Sequence, residues 1–549
     1  MLSATAAPRP WLLSLISPET FVNRSVTAAL GIVVVSLLYV ACGGNGPAAP
    51  SAPQMPTPLP PVNPEIIWPG DIQVSSGQGD DGIGSSGPSG VAIVPDGNGG
   101  AMFAWEDAVY ELVHEQRVDT NGDVLWQTNG VLLSNVSTYE ASPQAVSDGA
   151  GGTIVAWVDG RAGFCDEGFQ GECQIYAQRV DSNGNPLWNP SGVPIATGPS
   201  NHGSSGIAMT SDDNGGAFIA WEDARVCCVI YAQHVSSSGQ PLWVVNGLQV
   251  SPTPTLEIET IGAPQIIADG DGGVIIAWWN VQYPPGQVWT VSAQRLNSSG
   301  AQMWNAQGVT VLGITGGSSN DNELSYALTS DGDGGAVFVG SFLSDTVTGI
   351  AMAQHIDGSG TVAWDSNGVQ IASAPSQLLT PTIVGDGSGG GIIAWIDCVM
   401  QSPTCSILAQ HADARGTLVW PADGVSITNT PNPKFGPIAL SDGAGGAIVA
   451  WEDCPGISDP TQCGQEVDLY AQRINSNGQT LWQTNGFPVS SAPNNQGVQT
   501  GNENAGIYGA TDNLGNTFFA WPDGRISDEC FSIDEQQPSV CALFAQKLH

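Results

Sequence analysis

Several residue patterns in this chain have the types and spacing to do chemistry. Eight glycine-rich turns open on Asp, among them Asp96-Gly97-Asn98-Gly99-Gly100 and Asp148-Gly149-Ala150-Gly151-Gly152. Two carry an Asp-x-Asp pair, Asp269-Gly270-Asp271 and Asp331-Gly332-Asp333. Clustered side-chain oxygens of this kind are what Ca²⁺ takes as ligands, so these four Asp are the calcium candidates, and no other cofactor is called for. The competing reading is structural: Asp bonds to its own turn backbone while Gly takes a positive φ. A basic residue recurs after a repeated Gln, as Arg117, Arg179, His234, Arg295, His355, His411, Arg473 and Lys547. Such a ring could hold an anion, or it could pair with a recurrent Asp that follows Ala-Trp (Asp159, Asp223, Asp397, Asp453, Asp523), which is the expectation here.

Ten cysteines fall in five segments, as Cys165/Cys173, Cys227/Cys228, Cys398/Cys405, Cys454/Cys463 and Cys530/Cys541. No Cys-x-x-Cys pair or nearby His cluster suggests zinc. Pairing inside each segment is the simplest connectivity, and disulfides fit an exported protein. The repeated glutamines are Gln116, Gln178, Gln233, Gln294, Gln354, Gln410, Gln472 and Gln546. Their amides are expected to bridge backbone groups between repeat units, because buried polar groups must be paired. A second series, Trp68, Trp126, Trp188, Trp243, Trp304, Trp364, Trp420 and Trp482, could stack on sugars, but its strand spacing makes it a set of core anchors. No nucleophile elbow, phosphate loop or zinc motif occurs. Carboxylates are plentiful, yet none is singled out as an acid–base pair.

These residues sit at fixed places in one repeated unit. Each Asp-Gly turn leads into an apolar run such as Ile154-Val155-Ala156-Trp157-Val158-Asp159. A segment of varying length follows, then a Gln strand (Tyr176-Ala177-Gln178-Arg179-Val180), an Asn-Gly turn and Leu187-Trp188. Short Val/Ile/Trp-rich runs between Asp-Gly and Asn-Gly signals read as strands in tight hairpins. The Ala-Trp runs are apolar throughout rather than alternating, so both faces should be buried. Four strands per unit, eight units and covered faces describe an all-β fold, a single eight-bladed β-propeller. The last unit stops at Leu548-His549 and lacks its Leu-Trp strand, while Ile66-Ile67-Trp68 stands alone at the other end. The N-terminal strand is therefore expected to complete the last blade and close the ring, which removes sheet edges.

Three segments follow along the chain: 1–41 a signal peptide, 42–64 a tether, and 65–549 the propeller. Residues 25–41 form an uncharged stretch behind Arg24, shorter than the roughly 20 apolar residues of a spanning helix. It ends in Val40-Ala41-Cys42-Gly43-Gly44 and resembles the bacterial lipoprotein signal, which implies lipidation at Cys42. A Pro-rich spacer then separates anchor from body. The expected location is exported, held at a membrane by lipid alone and facing the periplasm or the cell surface.

The stretch Ile175 to Trp188 resembles the repeat of pyrroloquinoline-quinone-type propellers, with its Tyr-Ala strand, Gly turn and Leu-Trp strand. That resemblance implies eight blades and a Trp docked between neighbours. It does not extend to a matching set of quinone ligands. The whole unit also resembles the Asp-Gly-rich repeats of large secreted bacterial proteins. Composition narrows function further. The chain has 549 residues, 12 Lys+Arg against 51 Asp+Glu, and a formal charge of −39. Such a polyanion cannot neutralise phosphates, which excludes nucleic acid as a partner. The expectation is a non-enzymatic binding or scaffold module for an envelope protein or glycan. The alternative is a polysaccharide hydrolase or lyase that uses loop carboxylates.

Overall fold

The computed structural model describes residues 62–549 except 77–89, 108–110, 137–138, 164, 166–171, 199–201, 227, 255–258, 283–286, 318–323, 345–346, 373–376, 399–404, 456–466, 493–495, 497–505, 524 and 526–541. The signal peptide, Cys42 and most of the tether lie outside the described residues, as do Cys227, Cys463, Cys530 and Cys541.

Eight four-stranded antiparallel sheets make up the body. Blade 2 is typical: Glu140–Ser147, Thr153–Asp159, Gln174–Val180 and Val193–Ala196, hydrogen-bonded in that order. The first strands of successive blades touch one another around the molecule. The circuit closes where Tyr508–Thr511 of blade 8 meets Val91–Pro95 of blade 1. First strands therefore line the centre and fourth strands form the rim. The second strands are buried along most of their length, and Thr153–Asp159 and Ala447–Asp453 throughout. That is why they read as unbroken apolar runs.

The closure is the one expected. Blade 8 is Tyr508–Thr511, Thr517–Asp523, Ala542–Leu548 and, as its fourth strand, Ile72–Gln73 from the N-terminus. Ile72 pairs with Ala545, Ile66 bridges Leu548, and Trp68 is fully buried beside Phe103 and Phe518.

Two recurrent tryptophan positions explain two of the unit's glycines. The Leu-Trp indole lies on the next blade's turn: Trp126 Nε1 donates to Ser182 O, Trp188 to Ser237 O and Trp304 to Gly358 O. A Cβ on Gly184, at φ +84°, would stand 2.9 Å from the Trp126 ring. The Ala-Trp indole is buried inside its own blade, and a Cβ on Gly192 would stand 2.9 Å from the tip of Trp157. Only glycine lets the chain pass that close.

Candidate functional site

The two faces of the ring are built differently. On one face, the Asp turn between first and second strands spans five residues in every blade, as from Ser147 to Thr153 or from Thr511 to Thr517. The segment between third and fourth strands spans twelve in blades 1–7, as from Val180 to Val193. On the other face nothing is constant. The second-to-third connector runs from two residues (Ser344 to Val347) to eighteen (Asp523 to Ala542). The fourth-to-first connector runs from five (Ala196 to His202) to seventeen (Gln73 to Val91).

The constant face absorbs most of the sequence-derived candidates. Asp269 Oδ1 accepts the N–H groups of Asp271 and Gly273, and its Oδ2 takes Arg295 Nε at 2.8 Å. Asp271 is exposed and bonded to the same guanidinium. Asp331 Oδ1 accepts from Asp333 and Gly335, and its Oδ2 faces His355 Nε2 at 2.8 Å. These carboxylates hold their turns, as the structural reading has it. No group of three or more His, Cys, Asp or Glu is placed to hold a metal ion among the described residues.

The basic ring pairs with these turns, which corrects the expected partner. Arg117 bonds Asp96, Arg179 bonds Asp148 and Arg473 bonds Asp442, while His234 and His411 face Asp212 and Asp386. Register decides it. Arg179 lies opposite Ile154 at the turn end of the second strand, whereas Asp159 lies opposite Gln174, five residues and about 17 Å further on. The same cations reach the next blade: Arg117 Nη1 donates to Ser182 O and Arg179 Nη1 to Ser237 O. Lys547 donates to Gly99 O of blade 1. The ring is thus a set of ties between blades.

The glutamines also need a correction, because they bridge within a blade. Gln178 Nε2 donates to Asn189 O, and its Oε1 accepts from Arg179 N and Trp188 N. Gln116, Gln233, Gln294, Gln354, Gln410 and Gln472 repeat the pattern. Gln546 Oε1 accepts from Lys547 N. An amide eleven residues from its acceptor spans the hairpin of its own blade more readily than the gap to a neighbour.

On the variable face, the Asp after Ala-Trp is a local hub. Trp157 Nε1 donates to Asp159 Oδ2, since residues two apart share a strand face. Arg161 grips the same carboxylate through Nε at 2.7 Å and Nη2 at 2.6 Å, and lies over the Tyr176 ring. Arg225 with Asp223 and Tyr231, and Arg525 with Asp523 and Phe544, copy this clamp. Arg525 also holds Asp71 of the closing strand. The residue opposite the hub differs: Glu140 faces Asp159, His202 faces Asp223 and Lys434 faces Asp453. All three are buried. Burial pushes the Glu140 carboxyl up to about 8 and lowers the Lys434 ammonium. His202 Nδ1 lies 2.7 Å from Asp223 Oδ2, and its buried Nε2 has no hydrogen-bond partner among the described residues. Hydrogen bonds from His202, Arg225 and Trp221 outweigh the burial of Asp223 and hold its carboxyl well below the usual range.

Sequence reasoning missed the first-strand bulges. Ser142, Ala263, Thr380 and Gly436 take φ between 43° and 53°, each is followed by Pro, and the pairing register shifts at each. Bulges concentrate near functional sites, where they re-aim side chains. The signal was the recurrent Pro five residues before the Asp that opens the turn, at 143, 264, 381 and 437. The described cysteines lie on the same face as these hubs. Cys165–Cys173 and Cys398–Cys405 are disulfides, Cys454 is disulfide-bonded, and Cys228 is buried. Such bonds fit an oxidising compartment outside the cytoplasm. Among the described residues, no helix is long and apolar enough to cross a membrane.

No family model and no curated protein matches this chain. Solved structures do match. One is an ulvan lyase, a polysaccharide lyase, at 8% identity and TM-score 0.45, covering 76% of this chain and 97% of that one. Another is an α-L-arabinanase of Penicillium chrysogenum at 10% identity and TM-score 0.37, covering 62% and 92%. A third is a microbial sialidase at 11% identity and TM-score 0.36, covering 89% and 98%.

Proposed function

We propose that this protein is an exported binding propeller, a rigid ring that presents variable loops to a glycan or protein at the cell envelope. The observation that carries the reading is the asymmetry of the two faces: connectors of constant length on one, and of two to eighteen residues on the other. Binding residues concentrate on loops held by a rigid scaffold. The hub clamps and disulfides root those loops firmly in the ring. Lipidation at Cys42, with the Pro-rich tether, would hold the ring at a membrane surface.

The test uses the full-length protein on arrays of cell-envelope glycans and in pull-downs from envelope extract. Replacing residues 456–462 or 166–171 by two glycines, which keeps Arg161 and every cysteine, should abolish capture while the melting temperature stays within a few degrees. Capture that survives every such replacement overturns the reading.

One observation favours a second reading, polysaccharide cleavage. The His202–Asp223 pair has the arrangement of a general base oriented by a carboxylate, with an Nε2 buried beneath the variable face that a bound substrate would have to uncover. New chain ends released from a bound polysaccharide, and lost in His202→Gln with binding intact, would establish it. Binding with no release in the wild type leaves the scaffold reading standing.

A further inference from the structure

Seven of the eight rim strands are very short. They run two to four residues, as in Val131–Leu132, Leu248–Gln249, Val369–Gln370 and Phe487–Ser490. Short edge strands are one way in which sheet proteins avoid pairing with other chains. Blade 4 breaks the rule. Its rim strand is Val309–Gly317, nine residues, paired along one side from Ala293↔Val309 to Gln287↔Gly317. Its inner neighbours are long as well, Val274–Gln282 and Gln287–Leu296. The extra length lies on the variable face, beyond the level of the hubs.

The sequence of this edge, Val-Thr-Val-Leu-Gly-Ile-Thr-Gly-Gly, has no charged residue and no proline. Brevity, charge and proline, three of the usual guards of an exposed edge, are therefore missing, and the two register shifts opposite Gln287/Val288 and Val291/Ser292 are the guard that remains. Thr310 and Gly313 are exposed. Among the described residues no strand pairs with the outer side. Nine residues span about 30 Å, and roughly half of their N–H and C=O groups point outward.

We propose that this edge is a docking site for an extended, basic segment of a partner protein, which adds as a fifth strand to blade 4. Charge selects the occupant. A second copy would bring together two bodies of formal charge −39. The chain's own tether is also unsuited, because Pro47, Pro50, Pro53, Pro56, Pro58, Pro60 and Pro61 leave too few N–H donors for a ladder. A segment with alternating Lys or Arg gains both the ladder and the attraction of an acidic body. The site is separate from the loops of the proposed function and does not require them to bind anything.

The test uses full-length protein and a labelled nine-residue peptide of alternating valine and lysine. Saturable binding is expected by fluorescence anisotropy, together with slowed amide hydrogen exchange confined to the 309–317 strand. A matched peptide N-methylated at every residue keeps every side chain and charge but loses the donors of both its edges, and should bind at least tenfold more weakly. Thr310→Lys/Gly313→Lys should weaken binding similarly, with its circular dichroism melt checked against the wild type. Equal binding of the N-methylated peptide would show adsorption to the acidic surface and overturn the proposal. So would protection outside blade 4, or a concentration-dependent dimer of the free protein that shields this edge.

Discussion

At the residue scale, glycine and buried acid make the sharpest expectations. Gly184 combines a φ of +84° with a Cβ position 2.9 Å from Trp126. Gly184→Ala should therefore cost about 1–3 kcal/mol, through αL strain and a displaced indole, read as a lower urea midpoint. Gly149→Ala, at φ +69° with open space around it, should cost less. Glu115 and Glu140 supply the pH dependence. Burial pushes both carboxyls up to about 8, from 4.5 when exposed. Between those values the folded protein keeps protons that the unfolded chain has released. Stability should then fall as pH rises from about 5 to 8, by roughly 1.4 kcal/mol per pH unit for each group. In Glu140→Gln the amide oxygen can still accept from Val113 N, so the slope should halve while the fold persists. A midpoint that stays flat between pH 5 and 8 in the wild type would refute this. Residue identity was legible in the sequence and pairing was not. The two Trp series and the Gln series stood out by period alone. Whether Arg179 meets Asp148 or Asp159 depends on register, which a strand's composition does not set.

At the element scale, the unit's punctuation fixes geometry on one face only. Asp442 Oδ1 spans the N–H groups of Ala444 and Gly446, so the five-residue turn is a closed hydrogen-bonded loop. One inserted glycine after Gly443 should break that loop, strand the Arg473 partner and cost about 2–4 kcal/mol. The same insertion in the connector between Gln282 and Gln287 should cost less than about 1 kcal/mol, because lengthening a surface loop adds little closure entropy. Comparing the two melts against the wild type checks both. Equal losses would mean that the variable face is as constrained as the other. The constant spacings of five and twelve stood in the sequence throughout, and so did the recurrent Pro of the first strand. Reading them as a scaffold face and a bulge required knowing which turns share a side of the ring.

At the scale of the whole molecule, the closing strand is the seam where the two chain ends meet. The ring's other joints are Trp-on-turn contacts and cation ties that recur from blade to blade. At the seam the Trp contact keeps its usual spacing of 51 residues, while the other ties join residues more than 400 positions apart. Trp68 donates to Asp119 O, Lys547 donates to Gly99 O, and Arg525 holds Asp71, which in turn accepts from Ser490. Val62 N donates to Leu481 O, so the entering chain also laps blade 7. Deleting residues 62–75 would leave Leu543, Phe518 and Phe103 without Trp68 and expose the edge of Ala542–Leu548. Trp68→Ala alone should cost about 3–5 kcal/mol, the usual toll of emptying a fully buried aromatic site. The deletion should cost more and promote association through the bared edge. A synthetic peptide of residues 62–76 supplied in trans should then restore the melting temperature in proportion to its concentration, because a ligand that binds only the folded ring stabilises it by mass action. A Trp68→Ala version of that peptide should fail at the same concentration. Restoration by both peptides alike would place the closure in the short Ile72–Gln73 ladder instead of the indole. No restoration by either would mean that the seam forms only when the strand is covalently part of the chain.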